Sequence, residues 1–346
     1  MNQLRTRPLT IACLQINAHW GTDVYSTIRH ADSLLAPFWQ APAGPCSSTN
    51  RIKSGFGKKP DILVLPELAF TGYGFPSRQA IGPYLEPTVR GVSTQWAQTT
   101  ARRIGCHVIV GYPERPEEGS SNGVLKEEEG PIYNSAVVVG PSGTVLYNYR
   151  KHFLYEADEK WGASPGQDGF GCLDLKIKGS EPQRSGLSQN DDDDDKDMRL
   201  RVVLGLCMDL NPEKFEAPFT KFEFGNFAVT NKADLIIMPM AWLAFGLGGG
   251  GNSERDGQQL EDEPDWKTVH YWARRLTPVV SQYAQAEPAK TSNTIFVASN
   301  RCGTEDNRIT YAGSSSVLRF CHDASVQLIA TLPKESEGVL ITDVEI

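Results

Sequence analysis

The sequence predicts an α/β protein with a substantial β-sheet. Short apolar runs rich in β-branched residues are typical of buried strands, and longer helix-compatible stretches separate them. Such alternation is typical of folds in which helices cover the faces of a sheet. The predicted strands occupy residues 9–16, 61–65, 108–111, 135–139, 202–207, 235–238 and 295–299. The predicted helices occupy residues 25–37, 92–104 and 266–285.

A turn signal predicts that one of these strands belongs to a β-hairpin. Gly140-Pro-Ser-Gly143 combines the two residue types that most strongly interrupt regular structure. Another strand-like run follows at 144–149, so we expect it to pair with the strand at 135–139.

We expect residues 1–346 to form one domain with three surface insertions. The segments 40–60, 179–197 and 246–264 are too polar or too flexible in composition to contribute to a core. The second segment contains five consecutive aspartates, 191–195, which could bind cations, although a solvated loop is the simpler interpretation. Neither an internal repeat nor a second apolar core is evident in the sequence.

Composition and charge argue against several classes of protein. The chain is 40% hydrophobic and 22% charged, which is ordinary for a globular protein. Its formal net charge of -8 argues against a nucleic-acid-binding protein. No apolar run reaches the roughly 18 residues that a membrane-spanning helix needs, so we expect no membrane association.

The cysteines indicate a reducing compartment. They are seven in number, scattered, and without a Cys-x-x-Cys pair, so neither a disulfide framework nor a zinc site is expected. The first eight residues lack the apolar stretch of a secretory signal. We therefore expect a cytoplasmic protein.

Three short motifs carry candidate catalytic residues. Glu67 lies in Leu-Pro-Glu-Leu, Lys151 in Tyr-Arg-Lys and Cys207 in Leu-Cys-Met-Asp, each at the end of a predicted strand. Loops at strand ends carry many active sites, and a cysteine needs a basic or cationic neighbour to become reactive. Each motif alone has a common alternative: a solvated glutamate, a surface basic pair, or a small buried cysteine.

In this order the three motifs resemble the carbon–nitrogen hydrolase (nitrilase) superfamily. The resemblance runs from residues 11–17 through the three motifs to Asn300-Arg-Cys-Gly and 313–315, and so covers nearly the whole chain. It implies a four-layer α-β-β-α sandwich, with two sheets packed face to face and helices outside. Superfamily members often pair through their helical faces, but the insertions could block such pairing, so the oligomeric state stays open.

The resemblance implies covalent catalysis that needs neither a metal nor an organic cofactor. Glu67 would take the thiol proton while the sulfur of Cys207 attacks an amide carbon. Lys151 and the backbone N–H of Met208 would hold the oxyanion. Water activated by the same carboxylate would then release the acid from the thioester.

The superfamily also has a second glutamate after the lysine, six residues before a Pro-Gly pair. Glu159 fits that spacing in Glu-Lys-Trp-Gly-Ala-Ser-Pro-Gly, and we expect it to position Lys151 or the substrate. Glu156 lies too far before the Pro-Gly pair to match this spacing. Many relatives carry Lys-x-His, whereas His152 directly follows Lys151 here, so we assign His152 no role.

Several segments resemble the fungal N-terminal amidase branch of this superfamily in particular. They are Cys-Met-Asp-Leu-Asn-Pro from Cys207, residues 149–155 and 158–162, Pro-Met-Ala-Trp-Leu from Pro239, and residues 264–278. The branch implies a protein or peptide substrate with a free N-terminal asparagine or glutamine. Its side-chain amide would be hydrolysed to the acid with release of ammonia, which feeds the N-degron pathway.

Such a substrate carries a cationic α-amino group, so its pocket should place carboxylates nearby. The candidates are Asp209, Glu156 and Asp158, of which Asp209 lies nearest the cysteine in sequence. Asp209 could equally shape the turn by accepting a hydrogen bond from a backbone N–H. Trp242 could form a wall of the pocket, although an aromatic residue in apolar surroundings commonly belongs to the core.

Other functions stay open on these residues. A small-molecule amidase, a carbamoylase or an omega-amidase would carry the same three catalytic residues. An inactive scaffold or binding module on the same fold is an alternative of another class, although a dead site has no physical need for all three residues. A papain-like protease is disfavoured because the six histidines offer no recognisable partner for Cys207.

Overall fold

The computed structural model describes residues 8–18, 21–38, 58–117, 130–178, 197–244, 262–284 and 293–346. The three insertions predicted from composition lie almost entirely outside these ranges, and the run of aspartates at 191–195 lies wholly outside them.

The strands of the described residues form two large sheets and one short ribbon. In chain order they are β1 Leu9–Gln15, β2 Ile62–Val64, β3 Glu86–Pro87, β4 His107–Arg115, β5 Tyr133–Val139, β6 Val145–Arg150, β7 Gly171–Ile177, β8 Met198–Leu204, β9 Leu235–Pro239, β10 Thr294–Ser299, β11 Thr304–Glu305, β12 Ile309–Thr310, β13 Ser316–Phe320, β14 Val326–Thr331 and β15 Gly338–Val344.

The α-helices of the described residues lie mainly between strands, and most of them cover the outer faces of the two large sheets. In chain order they are α1 Val24–Leu35, α2 Arg78–Ile81, α3 Val92–Ile104, α4 Glu156–Lys160, α5 Glu223–Thr230, α6 Trp266–Arg275 and α7 Thr277–Ala284. Within the described ranges, none of them is long and apolar enough to cross a membrane.

Each large sheet has parallel strands at its centre and antiparallel strands outside them. The first sheet has the order β15-β1-β2-β4-β5-β6, with β3 also paired to β4, and the second has the order β14-β13-β10-β9-β8-β7. β1, β2 and β4 run parallel in the first sheet, as do β8, β9 and β10 in the second. Parallel strands end at the same edge of a sheet, so the loops after them are brought close together.

Three of the four apolar clusters in the described residues hold these elements in four layers. The central core packs the inner faces of the sheets together, with Ile11 and Val64 from one sheet and Val202 and Ile237 from the other. A second core lies between the first sheet and helices α1 and α3, and a third lies between the second sheet and helices α5, α6 and α7. This α-β-β-α order confirms the predicted four-layer sandwich.

One predicted helix was wrong in its extent. Within the predicted stretch 266–285, the described residues form two helices, α6 and α7, which are separated at Leu276. Pro278 has no N–H to donate and cannot continue a helix from α6, but proline is well tolerated in a first turn, which is its place in α7. By contrast, α3 matches the prediction, because Gly105 ends it with a φ of 83° in the left-handed region.

Candidate active site

Loops that follow strands of both sheets converge on a buried centre. Glu67 follows β2, Lys151 follows β6 and Cys207 follows β8. The side chains of Glu67 and Lys151 are fully buried, and Cys207 is 8% exposed. The structure therefore brings together three residues that stand far apart in the sequence.

Lys151 lies between two carboxylates. Its Nζ atom is 2.6 Å from Oε1 of Glu67 and 2.7 Å from Oδ2 of Asp158. Burial by itself lowers the pKa of Lys151, but the charges of Asp158 and Glu67 raise this pKa above its ordinary value. The lysine therefore stays cationic inside the protein.

Hydrogen-bond donors from strand β5 and from the loop after β9 hold the carboxylate of Glu67 in place. Nδ2 of Asn134 donates to Oε1 at 2.6 Å, and the N–H of Ala241 donates to Oε2 at 3.0 Å. Burial raises the pKa of Glu67, and the positive charge of Lys151 only partly opposes this effect. A carboxylate with a raised pKa suits a group that must take up and return a proton.

The turn that carries Glu67 is strained and closely packed. Leu68 has a φ of 46°, in the left-handed region that side chains disfavour. The buried guanidinium of Arg301 donates to the carbonyl oxygens of Glu67 and Leu68 at 3.0 and 2.7 Å. A Cβ atom on Gly111 of β4 would lie 2.7 Å from the Cα of Glu67, so this approach requires glycine. The surrounding structure thus fixes the carboxylate in place.

Cys207 also lies on a strained turn. It has a φ of 34° and begins the short 3₁₀ turn Cys207–Leu210. Burial raises the pKa of its thiol, the charge of Glu67 raises it further, and the charge of Lys151 lowers it. The net effect is a pKa well above the ordinary value. The resting sulfur is therefore a thiol that needs a base when it attacks.

Asp209 organises the turn of the cysteine. Its Oδ2 accepts hydrogen bonds from the N–H of Leu206 and the hydroxyl of Tyr149, each at 2.7 Å. Its Oδ1 accepts from the N–H groups of Phe153 at 2.7 Å and His152 at 3.2 Å. Both oxygens of this buried carboxylate are therefore engaged within the chain, in the turn-shaping arrangement that the sequence left open.

The acidic partner of Lys151 on α4 is Asp158, which corrects the expectation that Glu159 positions this lysine. Asp158 is fully buried and also accepts from Nδ2 of Asn134 and the N–H of Tyr155, each at 2.8 Å. The side chain of Glu159 is exposed. Adjacent residues on a helix point about 100° apart, so one of the two faces the lysine and the other faces solvent.

The other residues expected to bind substrate lie at different depths. Trp242 is 8% exposed and belongs to the same apolar cluster as Cys207. Met208 is buried next to the cysteine in the same 3₁₀ turn. Glu156 is exposed and pairs with Lys160 at 3.8 Å on the outer side of α4.

Asn134, Tyr73 and Arg301 belong to the centre although no motif predicted a role for them. Asn134 joins two acidic residues, and the hydroxyl of Tyr73 lies 3.5 Å from Nζ of Lys151. The available signals were that Asn134 directly precedes the strand-like run 135–139 and that Arg301 lies in the Asn-Arg-Cys-Gly segment that follows the run 295–299.

The centre combines a thiol, a base and a fixed cation, the requirements for covalent acyl transfer. The described part of the chain contains no group of three or more histidine, cysteine, aspartate or glutamate side chains arranged to hold a metal ion.

Comparisons with known proteins agree with this geometry. The family model described as Carbon-nitrogen hydrolase matches residues 10–177. The protein N-terminal amidase of Saccharomyces cerevisiae is 28% identical, over 85% of this chain and 88% of that protein. The protein N-terminal amidase of Schizosaccharomyces pombe is 29% identical, over 82% of this chain and 87% of that protein.

Solved structures extend the likeness to the whole chain. A crystal structure of N-terminal amidase with an Asn-Glu-Ala peptide is 28% identical, has a TM-score of 0.75 and covers 98% of each chain. A crystal structure of N-terminal amidase with a Gln-Val peptide is 27% identical, with the same TM-score and coverage.

Proposed function

We propose that this chain is a carbon–nitrogen hydrolase, a family that it resembles in sequence and fold, and that it hydrolyses the side-chain amide of N-terminal asparagine and glutamine. The products are N-terminal aspartate or glutamate and ammonia. The observation that carries the proposal is the buried Glu67–Lys151 pair whose charges act on the thiol of Cys207. The full-length likeness to N-terminal amidases supports the choice of substrate.

In the first step Cys207 is the nucleophile and Glu67 is the base. The sulfur attacks the amide carbon, and the carboxylate takes the thiol proton as the S–C bond forms. The base is needed because burial keeps the sulfur protonated. General acid–base catalysis of this kind contributes about 10²–10⁴-fold in rate.

Lys151 and the backbone N–H of Met208 stabilise the oxyanion that forms. Asp158 and Glu67 keep the lysine charged and in place. Little reorganisation is then required when negative charge develops on the substrate oxygen. Each such donor contributes on the order of 10²–10³-fold in rate.

Collapse of the tetrahedral intermediate releases ammonia. Glu67 returns the proton to the amide nitrogen, the C–N bond breaks, and the acyl group remains on Cys207 as a thioester. Water then attacks the thioester carbon while Glu67 takes a proton from it. The C–S bond breaks, and that proton returns to the sulfur, which restores the resting site.

The cationic α-amino group of the substrate is attracted by the summed charge of the centre. Four buried carboxylates lie there with two buried cations: Glu67, Asp158, Asp209 and Glu305 against Lys151 and Arg301. The oxygens of Asp158 and Asp209 are engaged by donors of the protein. We therefore infer attraction by the field of the site rather than by one direct ion pair.

The partners of such an enzyme are peptides and proteins with a free N-terminal asparagine or glutamine. We place the enzyme in the cytoplasm, where reducing conditions keep the thiol of Cys207 available.

Ammonia release from short peptides tests this function. The series contains peptides that begin with asparagine or glutamine, their N-acetylated forms, and propionamide as a simple amide. We expect release only from the free N-terminal peptides, and none with the Cys207→Ala variant. Equal rates with acetylated peptides or propionamide would reject the proposed substrate and favour a small-molecule amidase.

A further inference from the structure

Tyr73 places a hydroxyl group beside the catalytic lysine. The hydroxyl oxygen lies 3.5 Å from Nζ of Lys151, whereas the ring centroid is 5.7 Å from the same atom. Tyr73 is buried, and the charges of Asp158, Glu67 and Cys207 all act on its phenol group. The hydroxyl therefore lies among the charged groups of the candidate active site.

Lys151 has one N–H donor that the resting site barely uses. An ammonium group has three such donors. Two of them meet Glu67 and Asp158 at 2.6 and 2.7 Å. The remaining contact, to the hydroxyl of Tyr73, is 3.5 Å long, at the outer limit of a hydrogen bond. This third donor is available to an oxygen that enters between Lys151 and Tyr73.

The hydroxyl of Tyr73 has a proton to donate as well. In its contact with Lys151 this oxygen is the acceptor, and in the described residues it donates to no protein group. Burial, and then the charges of Asp158 and Glu67, raise the pKa of Tyr73 well above its ordinary value. The hydroxyl therefore keeps its proton throughout the neutral pH range.

The backbone around Tyr73 is held by a buried carboxylate. The N–H of Tyr73 donates to both oxygens of Glu305 at 3.1 Å, and the N–H of Gly74 donates to Oε2 at 3.3 Å. Glu305 also accepts a hydrogen bond from the hydroxyl of Tyr311. The donor on Tyr73 is thus positioned before the substrate arrives, as oxyanion stabilisation requires.

We propose that the O–H group of Tyr73 donates to the oxyanion, together with Nζ of Lys151. Two donors 3.5 Å apart can both lie about 2.8 Å from one oxygen. As the S–C bond forms, the electron pair of the C=O double bond moves onto this oxygen, and both hydrogen bonds strengthen. No proton leaves Tyr73. The inference rests on the proposed amide hydrolysis.

The Tyr73→Phe variant tests this role because it removes only the hydroxyl group. We expect kcat on an N-terminal asparagine peptide to fall about 10²-fold. KM should change little, since the donor acts on the oxyanion rather than on the bound amide. Tyr112→Phe is the matched control: it removes another buried hydroxyl, which bonds to Asn148 away from the centre, and should leave kcat unchanged.

Thiol labelling separates oxyanion stabilisation from an effect on the sulfur. Methyl methanethiosulfonate reacts with Cys207 without forming an oxyanion, so Tyr73→Phe should be labelled at the wild-type rate. Labelling is measured against the Cys207→Ala background. An equal loss of kcat and of labelling rate would overturn the proposal, and so would an unchanged kcat.

Two further measurements keep the test decisive. 3-Fluorotyrosine at position 73 retains the hydroxyl and should retain kcat, which ties the loss to the missing hydroxyl, and an unchanged urea midpoint of Tyr73→Phe excludes a folding defect. If the wild type hydrolyses no N-terminal asparagine or glutamine peptide, the proposed substrate is rejected. Cys207-dependent hydrolysis of p-nitrophenyl acetate, which also forms an oxyanion, then decides: a slower Tyr73→Phe variant supports the role of Tyr73, and an equal rate overturns it.

Discussion

Arg150 and Lys151 are adjacent in sequence, and each pairs with a buried glutamate. The pKa values of these two glutamates are shifted in opposite directions. Arg150 pairs with Glu114 at 2.6 Å, and Lys151 pairs with Glu67 at 2.6 Å. The side chains of both carboxylates are fully buried. The pKa of Glu114 nevertheless lies below its ordinary value, whereas the pKa of Glu67 lies above it.

Glu114 keeps its charge because it is surrounded by donors. Burial by itself raises its pKa, but hydrogen bonds from four side chains outweigh burial. These donors are Arg150, Ser135, Thr88 and Asn148. A carboxylate that is satisfied in this way joins β4, β5 and β6 and has little tendency to accept a proton.

Glu67 has a cation at the same distance and yet holds a proton more readily. Burial is the main cause of its raised pKa, and the negative charge of Asp158, with which Glu67 shares Lys151, raises this pKa further. The comparison indicates that the donors and charges around a buried carboxylate, rather than the salt bridge alone, separate a structural acid from a reactive one.

The same substitution at both glutamates should therefore separate activity from stability. Glu67→Gln removes the base, and we expect kcat to fall by about 10²–10⁴-fold. Glu114→Gln should leave kcat near the wild-type value and lower the free energy of unfolding by about 1.5–3 kcal/mol, because a charged hydrogen-bond acceptor is lost. Ammonia release and urea denaturation measure the two effects. Similar losses of kcat in both variants would remove the distinction.

The shared lysine can be examined on α4, where two acidic residues are adjacent. Asp158→Asn removes the ion pair between Asp158 and Lys151, so the ammonium group can move away from its catalytic position. We therefore expect kcat to fall by about 10²-fold. Glu159→Gln changes an exposed side chain and should have no effect on kcat. Steady-state kinetics of both variants measure this, and a larger loss for Glu159→Gln would restore the assignment made from sequence spacing.

Gly111 of β4 packs against the turn of Glu67, so a substitution there tests how firmly the base is held. An added Cβ would lie 2.7 Å from the Cα of Glu67, where only backbone atoms could yield. We expect Gly111→Ala to lower kcat and to cost about 1–3 kcal/mol of stability.

Gly140→Ala provides the control for this strain. There the new Cβ would meet the side chain of Leu146 at 3.2 Å, and that side chain can move. Kinetics and thermal melts should show normal kcat for Gly140→Ala. An equally active Gly111→Ala variant would mean that the turn of Glu67 tolerates displacement.

Glu86 extends the comparison to a carboxylate with few donors. It is buried, accepts hydrogen bonds only from the N–H and hydroxyl of Ser93 among the described residues, and its pKa is raised by burial to about 7. The native state therefore binds this proton more tightly than the unfolded state. Its contribution to stability is present at low pH and is lost as pH rises from about 4.5 through about 7.

The difference in unfolding free energy between wild type and Glu86→Gln isolates this titration from that of other groups. The wild type should lose stability relative to the variant by up to about 1.4 kcal/mol per pH unit within the window. Urea denaturation at pH 5, 6, 7 and 8 measures this difference. A constant difference across that range would show that Glu86 has an ordinary pKa.

The pattern of apolar, β-branched and turn residues predicted those strands and helices whose formation depends mainly on their own sequence. All seven predicted strands occur, because β-branched apolar runs between turns have few other stable arrangements. α3 was predicted at Val92–Ile104 and ends at a glycine, as its sequence indicated. Strand β15 was not predicted, because it is stabilised by pairing with the distant β1, where Leu9 faces Val344.

Sequence by itself determined the α/β fold class, because strand and helix patterns are local, and it identified Glu67, Lys151 and Cys207 as candidate catalytic residues, because the order of their motifs resembles that of a known family. Only the tertiary structure decided that Asp158 rather than Glu159 meets the lysine, and that the hydroxyl of Tyr73 lies beside it. Charge, burial and hydrogen bonding at a site depend on side chains that different strands bring together. The distances between these side chains cannot be predicted from a short stretch of sequence.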